Sequence, residues 1–180
     1  TILSTGVSTL ADIEKAVNMF RAAGYASADG SCDRLTMLHC VTAYPAPEED
    51  YNLNLLHELS TLFGLPVGVS DHSRHPLLIP ALAASLGAWA VEKHFCLSRS
   101  DDGLDDPIAL PPADFTSMVR AVHEASRGAS YALDALSNEY GQAKVQAILG
   151  TGRKFLAPSE QDNYGRTNRS MHAKRPIRIG

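Results

Sequence analysis

The regular alternation of short apolar segments with longer amphipathic ones limits the fold of this chain more than any other feature. Four segments, residues 1–4, 35–40, 66–70 and 88–95, have the length and composition of buried strands. Each is followed by a stretch whose apolar residues recur at helical spacing. Because parallel strands need crossovers of this length, the pattern predicts an α/β fold with a parallel sheet and right-handed connections.

The helical stretches carry start and stop signals. Thr9 and Asp12 match a capping box at the start of the first helix, and Gly24 suits its C-terminal end. Further helices are predicted at 55–63, closed by Gly64; at 77–86; from Pro111-Pro112, with Phe115, Met118, Val119 and Val122 on the buried face; and at 131–149, where Gly141 makes the pattern less regular.

Composition narrows the class of protein. A chain of 180 residues with 44% apolar and 20% charged residues can build one packed domain or part of a larger one. Its longest apolar stretches, such as 77–86, are too short to span a bilayer, so no membrane partner is predicted. Three cysteines without a CxxC spacing argue against a disulfide scaffold or zinc ribbon and favour the reducing cytoplasm. The opening Thr1-Ile2-Leu3 predicts that the true N-terminus lies upstream.

Basic charge is concentrated at the C-terminal end. Residues 151–180 hold seven basic and two acidic side chains, although the whole chain carries −4. Without interleaved aromatic residues or a known binding motif, this segment does not predict nucleic-acid binding. We expect a solvated linker, or a strip that faces an acidic partner surface.

Polar side chains collect where the predicted strands end, which is where parallel α/β folds carry their chemistry. No GxGxxG or GxxxxGK[ST] motif follows any strand, which weakens a nucleotide-binding doubly wound sheet relative to half of an eight-fold barrel. The residues concerned are Ser4, Thr42, Tyr44, Ser70, His72, Glu92 and His94.

The spacing within two of these strand ends predicts a shared pocket. Ser70 and His72 are two residues apart and share one side of their strand, and Glu92 and His94 do likewise. Two imidazoles from neighbouring strands, with carboxylates nearby, would suit a divalent metal ion. A purely hydrogen-bonding role for these histidines is the alternative.

Four motifs in order carry a family resemblance. They are Ile2-Leu3-Ser4-Thr5-Gly6, Leu38-His39-Cys40-Val41-Thr42-Ala43-Tyr44-Pro45, Val67-Gly68-Val69-Ser70-Asp71-His72 and Val91-Glu92-Lys93-His94-Phe95. Together they resemble the sialic acid synthase family, which comprises N-acetylneuraminate synthase and its pseudaminate, legionaminate and spore-coat relatives. The resemblance is close over 1–128. It is looser through Asn168-Arg169-Ser170 and 173–177, which are similar to the entry to that family's antifreeze-like (SAF) domain.

The resemblance implies a fold and an assembly. The family has a (β/α)₈ TIM barrel followed by the small SAF domain, in a domain-swapped homodimer, and the match begins at the fifth strand. Residues 1–149 would therefore be the C-terminal half of the barrel, strands 5–8. Residues 150–180 would be a linker and the start of a truncated SAF domain.

The resemblance also implies a reaction, the condensation of phosphoenolpyruvate with an open-chain N-acetylated amino sugar such as N-acetylmannosamine. Carbon 3 of phosphoenolpyruvate attacks the sugar aldehyde, water adds at carbon 2, and phosphate leaves with C–O cleavage. A divalent ion, Mn²⁺ or Mg²⁺, acts as a Lewis acid on the aldehyde oxygen. The implied roles are metal binding for His72 and His94, substrate binding for Ser4, Thr42, Tyr44, Ser70 and Asp105, and catalysis for Tyr44 and Asp105.

Some positions depart from the family pattern and leave the sugar open. Ser73-Arg74-His75-Pro76 replaces the usual Thr-x-Gly after His72, Thr42 stands where many members have Asn or Ser, and Leu104 stands where Pro is common. A pseudaminate, legionaminate or other ulosonic acid synthase is one alternative function. A non-catalytic barrel fragment that acts in assembly is the other.

Overall fold

A four-stranded parallel sheet forms the centre of the molecule. The computed structural model describes residues 1–25, 34–165 and 173–178, without the side chains of 129–131. The strands are β1 (Ile2–Ser4), β2 (Thr36–Cys40), β3 (Val67–Asp71) and β4 (Val91–Lys93), and they lie in the order β1-β2-β3-β4 with every pair parallel. The predicted parallel α/β fold is therefore confirmed.

Six α-helices accompany the sheet in the described part of the chain. They are α1 (Leu10–Ala22), α2 (Leu55–Phe63), α3 (Leu78–Ser85), α4 (Pro112–Arg127), α5 (Ala129–Tyr140) and α6 (Gln142–Leu149). The capping box predicted for α1 is present, with the Thr9 side chain accepting from the Asp12 backbone N–H. Over these described residues, no helix combines the length and apolar character needed to cross a membrane.

Side chains on one face of the sheet join the helices in the core. This face belongs to alternate strand residues, since successive side chains of a strand point to opposite sides. The core includes Val17 of α1, Met37 of β2, Leu59 of α2, Val69 of β3 and Leu82 of α3, all of them fully buried. The opposite face carries polar residues at the strand ends, including the paired Ser70 and Glu92.

Two sequence predictions need correction. The single helix predicted at 131–149 is two helices, because Gly141 adopts φ +93°, which breaks the helix between α5 and α6. The strand predicted at 88–95 is much shorter. Trp89 N and Ala90 O still bond to β3, whereas Phe95 forms only an isolated bridge to Leu110.

The buried face predicted for α4 is also partly wrong. Met118 is buried as expected, but Ala125 is the other buried residue of this helix, and Phe115 and Val122 are only partly covered. Phe115 packs edge-on against the Phe95 ring, with centroids 5.5 Å apart.

The first part of the segment after α6 is more buried than the solvated linker that its charge suggests. Between 151 and 163 the chain packs on the loops that follow β1 and β2, and Glu160 is 1% exposed, whereas the described residues 173–178 are exposed. Asn52 Nδ2 donates to the carbonyl of Arg153 at 2.8 Å, and the Ser159 N–H donates to Asp50 Oδ2 at 3.0 Å. These contacts attach the segment to the loop between β2 and α2.

His39 of β2 lies on the helix-facing side of the sheet, where it is fully buried. Its Nε2 pairs with the carbonyl of Tyr51 at 2.5 Å, and its Nδ1 has no partner among the described residues. Burial lowers the pKa of His39 from 6.5 to about 4. The folded protein therefore holds this imidazole neutral at pH values where the unfolded chain would protonate it.

We expect His39 to make the protein acid-sensitive. Its contribution to the free energy of unfolding is complete above pH 6.5 and is lost as the pH falls towards about 4, because only the unfolded chain binds the proton in that interval. The loss should be on the order of 3 kcal/mol. Urea unfolding of the full-length protein between pH 7 and 4.5 measures it. His39→Gln should flatten the dependence, and an unchanged slope in that variant would contradict the prediction.

Candidate active site

A cleft opens at the carboxyl ends of the strands and has a volume of about 270 Å³. It is lined by strand-end and loop residues from all four β-strand units, as predicted. The lining residues are Ser4, Thr5, Gly6, Val7, Ser8, Cys40, Thr42, Tyr44, Ser70, His72 and Glu92. Five of the seven predicted substrate and metal residues are among them, namely Ser4, Thr42, Tyr44, Ser70 and His72, whereas His94 and Asp105 lie beside the cleft.

The register of the sheet brings Ser70, His72 and Glu92 together. Ser70 is paired with Glu92 across β3 and β4, and its Oγ donates to Glu92 Oε1 at 2.6 Å. The same Oγ lies 3.1 Å from His72 Nε2. The matching side-chain directions predicted from the spacing are thus present.

The tautomer of His72 follows from its other contact. His72 Nδ1 lies 2.7 Å from the Val41 carbonyl, which can only accept, so Nδ1 carries the proton and Nε2 the lone pair. Burial lowers the pKa of His72, which favours this neutral form. The one proton of the Ser70 hydroxyl then faces two acceptors, His72 Nε2 and Glu92, so the cluster has an acceptor to spare for a cation or a proton donor.

Behind His72, a buried ionic network fixes the backbone. Asp71 is fully buried, and its Oδ2 lies 2.7 Å from Lys93 Nζ. Asp71 Oδ1 accepts from the Tyr51 hydroxyl and from the Ser73 N–H, both at 2.8 Å. The Tyr51 hydroxyl in turn accepts the His72 N–H at 2.6 Å. The position of the His72 ring therefore depends on four neighbours that do not themselves line the cleft.

Aromatic contacts place Tyr44, His94 and Asp105 around His72. The Tyr44 ring stacks on the His72 ring at 4.2 Å and is 51% exposed, so it forms one wall of the cleft. The His94 ring is 5.7 Å from the His72 ring. Asp105 Oδ2 lies 3.6 Å from His94 Nδ1, which is near but too far for a direct hydrogen bond.

The two histidines fit part of the ligand set of a divalent ion. His72 presents a lone pair at Nε2, and its Nδ1–H is held by a carbonyl in the way typical of metal-binding imidazoles. Among residues 1–25, 34–165 and 173–178, no three or more His, Cys, Asp or Glu side chains converge as a metal centre. An ion at His72 and His94 would therefore take further ligands from water or substrate, as Mg²⁺ and catalytic ions do.

Sequence reasoning missed three residues near the site. Glu160 accepts the Thr42 N–H at 2.7 Å, and Lys154 donates to the Gly6 carbonyl at 2.5 Å. Lys93 belongs to a sequence motif, but nothing in that motif indicates its ion pair with Asp71. No local pattern could reveal the first two contacts, because each joins residues more than 100 positions apart.

His75, in the segment that departs from the family pattern, has a structural role. Its Nδ1 accepts the N–H groups of Leu77 and Leu78, both at 3.1 Å, and so caps the start of α3. Its ring packs edge-on against Tyr140 of α5 at 5.1 Å.

These features define a class of protein: a parallel α/β enzyme fold whose cleft combines hydroxyl, carboxylate and imidazole groups at the strand ends. The pattern of the NeuB family matches residues 1–132. The chain belongs to the NeuB family. The predicted resemblance is thus confirmed, although Asn168-Arg169-Ser170 lie outside the described residues.

Similarity to individual proteins supports membership of this family. The N,N'-diacetyllegionaminic acid synthase of Campylobacter jejuni is 32% identical over 179 residues, 99% of this chain and 46% of that protein. The spore coat polysaccharide biosynthesis protein SpsE of Bacillus subtilis is 36% identical over 180 residues, 99% of this chain and 44% of that protein. The chain therefore spans about half the length of the curated relatives it matches.

Solved structures show the same fold. The crystal structure of Bacillus subtilis SpsE matches with a TM-score of 0.71 and 29% identity, over 91% of this chain and 42% of that one. The N-acetylneuraminic acid synthetase of Leptospira borgpetersenii, in complex with citrate, matches with a TM-score of 0.61 and 29% identity, over 92% and 48%.

We expect Tyr51→Phe to destabilise the strand end that carries His72. The change removes the donor to Asp71 and the acceptor of the His72 N–H, so it should lower the free energy of unfolding by roughly 1–3 kcal/mol. Tyr164→Phe is the matched control, because Tyr164 is 53% exposed. Urea unfolding of both full-length variants measures the difference. Equal stability of the two variants would contradict the role given to the Tyr51 hydroxyl.

Proposed function

We propose that the full-length protein is a transferase that condenses phosphoenolpyruvate with an N-acetylated amino sugar, N-acetylmannosamine or a relative, to give a nonulosonic (sialic) acid and phosphate. The observation that supports this most is the convergence of Ser70, His72 and Glu92 at one cleft, with an acceptor to spare. Membership of the NeuB family supports the same reaction class.

His72 and His94 would hold the divalent ion, Mn²⁺ or Mg²⁺. When bound, the ion would polarise the aldehyde of the sugar as a Lewis acid. His72 is prepared for this role, because its Nδ1–H is fixed on the Val41 carbonyl and burial keeps the ring neutral.

The hydroxyl side of the cleft would bind phosphoenolpyruvate. Ser4, Thr42 and Ser70 line the cleft, and their hydroxyls would donate to phosphate oxygens, which charge makes strong acceptors. Ser70 would do so by turning its one hydroxyl proton away from Glu92. Tyr44 would line the pocket for the sugar and phosphoenolpyruvate. Asp105 lies beside the cleft and would hold sugar hydroxyls or assist proton transfer.

We infer that residues 1–149 form strands 5–8 of a (β/α)₈ barrel and that 150–180 lead into a SAF domain. Two facts support this: the chain spans less than half of each relative, and within its described residues the outer edges of β1 and β4 pair with no other strand. Strand edges of a sheet left open in this way need a partner. We further propose a homodimer that acts in the cytoplasm.

Phosphate release tests the reaction, with phosphoenolpyruvate, Mn²⁺ or Mg²⁺ and a panel of acetamido sugars that includes N-acetylmannosamine and diacetamido sugars. The Campylobacter relative, named as a diacetyllegionaminic acid synthase, makes the diacetamido sugars the informative alternative. Release that no sugar stimulates would refute the proposal.

His72→Ala should abolish the metal-dependent turnover, since it removes one of two imidazoles proposed to hold the ion. His123→Ala is the matched control, because His123 is exposed on α4. Metal content by elemental analysis accompanies the kinetics. Wild-type turnover and metal content in His72→Ala would refute the assignment of His72 as a metal ligand.

Ser70→Ala should weaken the use of phosphoenolpyruvate by about ten- to a hundredfold in kcat/KM, since a hydrogen bond to a charged group contributes roughly 1.5–3 kcal/mol. The KM of the sugar should change little. Ser117→Ala is the control, because the Ser117 hydroxyl is exposed and bonds only within α4. A defect confined to the sugar KM would overturn the phosphate role.

A further inference from the structure

The backbone of Thr42 is held from both sides by residues near the end of the chain. Glu160 Oε1 accepts the Thr42 N–H at 2.7 Å, and Asn163 Nδ2 donates to the Thr42 carbonyl at 2.8 Å. The other carboxylate oxygen of Glu160 accepts the Ala157 N–H at 3.0 Å. We call residues 154–163 the C-terminal clamp.

The clamp also reaches the loop after β1. Lys154 Nζ donates to the Gly6 carbonyl at 2.5 Å. Partial burial lowers the pKa of Lys154, and the nearby charge of the buried Glu160 opposes that shift, so Glu160 favours the charged form of Lys154. Gly6 and Thr42 approach so closely that a Cβ on residue 6 would lie 2.6 Å from Thr42 Oγ1.

Burying these two charges costs more than docking the segment requires. Taking a carboxylate and an ammonium group out of water is unfavourable, and an apolar contact would anchor a linker as well. The two charged groups bind the backbones of Gly6, in the loop after β1, and Thr42, in the loop after β2, and both of these residues line the cleft.

We propose that Glu160 and Lys154 are positioning residues for the phosphoenolpyruvate side of the cleft. Together they fix the β1 and β2 loops so that the Ser4 and Thr42 hydroxyls converge on one phosphate group. The clamp therefore belongs to the catalytic unit. This inference rests on the proposed function, because it uses the phosphate role given there to Ser4 and Thr42.

Glu160→Gln in the full-length enzyme tests the inference. An amide has one acceptor oxygen, so it cannot accept from both Thr42 N and Ala157 N, and the Thr42 loop should loosen. Asp50→Ala is the matched control. It removes the contact with Ser159 of the same clamp, away from the cleft residues.

We expect Glu160→Gln to raise the KM of phosphoenolpyruvate about tenfold and to leave the KM of the sugar within twofold. Asp50→Ala should leave both within twofold. Calorimetry of phosphoenolpyruvate binding without sugar should show the same loss of affinity. If the clamp only anchored the segment, both variants would have a lower melting temperature. The KM of phosphoenolpyruvate would then not rise selectively relative to the KM of the sugar in either variant.

Each other outcome decides the matter. An unchanged KM of phosphoenolpyruvate in Glu160→Gln, or the same rise in Asp50→Ala, overturns the inference while wild-type turnover upholds the proposed function. Absence of wild-type turnover and of phosphoenolpyruvate binding overturns both. If Glu160→Gln does not fold, Asn163→Ala removes the bond to the Thr42 carbonyl and should show the same selective rise; wild-type kinetics there would also overturn the inference.

Discussion

A buried ion pair between Asp71 and Lys93 fixes the register on which the cleft depends. The two residues are direct partners across β3 and β4, with 2.7 Å between the carboxylate and the ammonium group. Because successive side chains alternate between faces, this pair on one face aligns Ser70 with Glu92 on the other. A slip by one residue would leave both charges unpaired in the core, at a cost of several kcal/mol.

The pair is stable in its buried place because the rest of its hydrogen-bonding capacity is satisfied. The Tyr51 hydroxyl and the Ser73 N–H donate to the Asp71 carboxylate, and the Ser73 carbonyl accepts from Lys93 at 2.5 Å. A fully satisfied network of this kind is rigid, since any displacement exposes a buried charge. The rigidity passes to His72, whose N–H is bound to the same Tyr51 hydroxyl.

The sequence revealed the fold well because its signals are local. Periodicity, the Thr9 capping box and the glycine stops depend on near neighbours, and the strand parity of Ser70 and His72 follows from two-residue spacing. The helix break at Gly141 was visible only as an irregularity, because a glycine can be tolerated within a helix or can end it. Its φ of +93° decides between the two.

The parts of the site that escaped prediction depend on the tertiary fold. Glu160 and Lys154 stand in a segment whose basic composition resembles a solvated strip, and only the folded chain brings them to Thr42 and Gly6. The proximity of Asp105 to His94, 3.6 Å between Oδ2 and Nδ1, likewise depends on how the loop folds and has no signal in its acidic sequence.

The contacts of His75 join the site to the outer layer of helices. The segment 73–76 comes directly after His72 of the cleft. Within it, the His75 ring caps the start of α3 and packs on Tyr140 of α5. An outer helix and a strand-end loop thus share one imidazole, so a change at Tyr140 would reach the residues next to the cleft through a single ring.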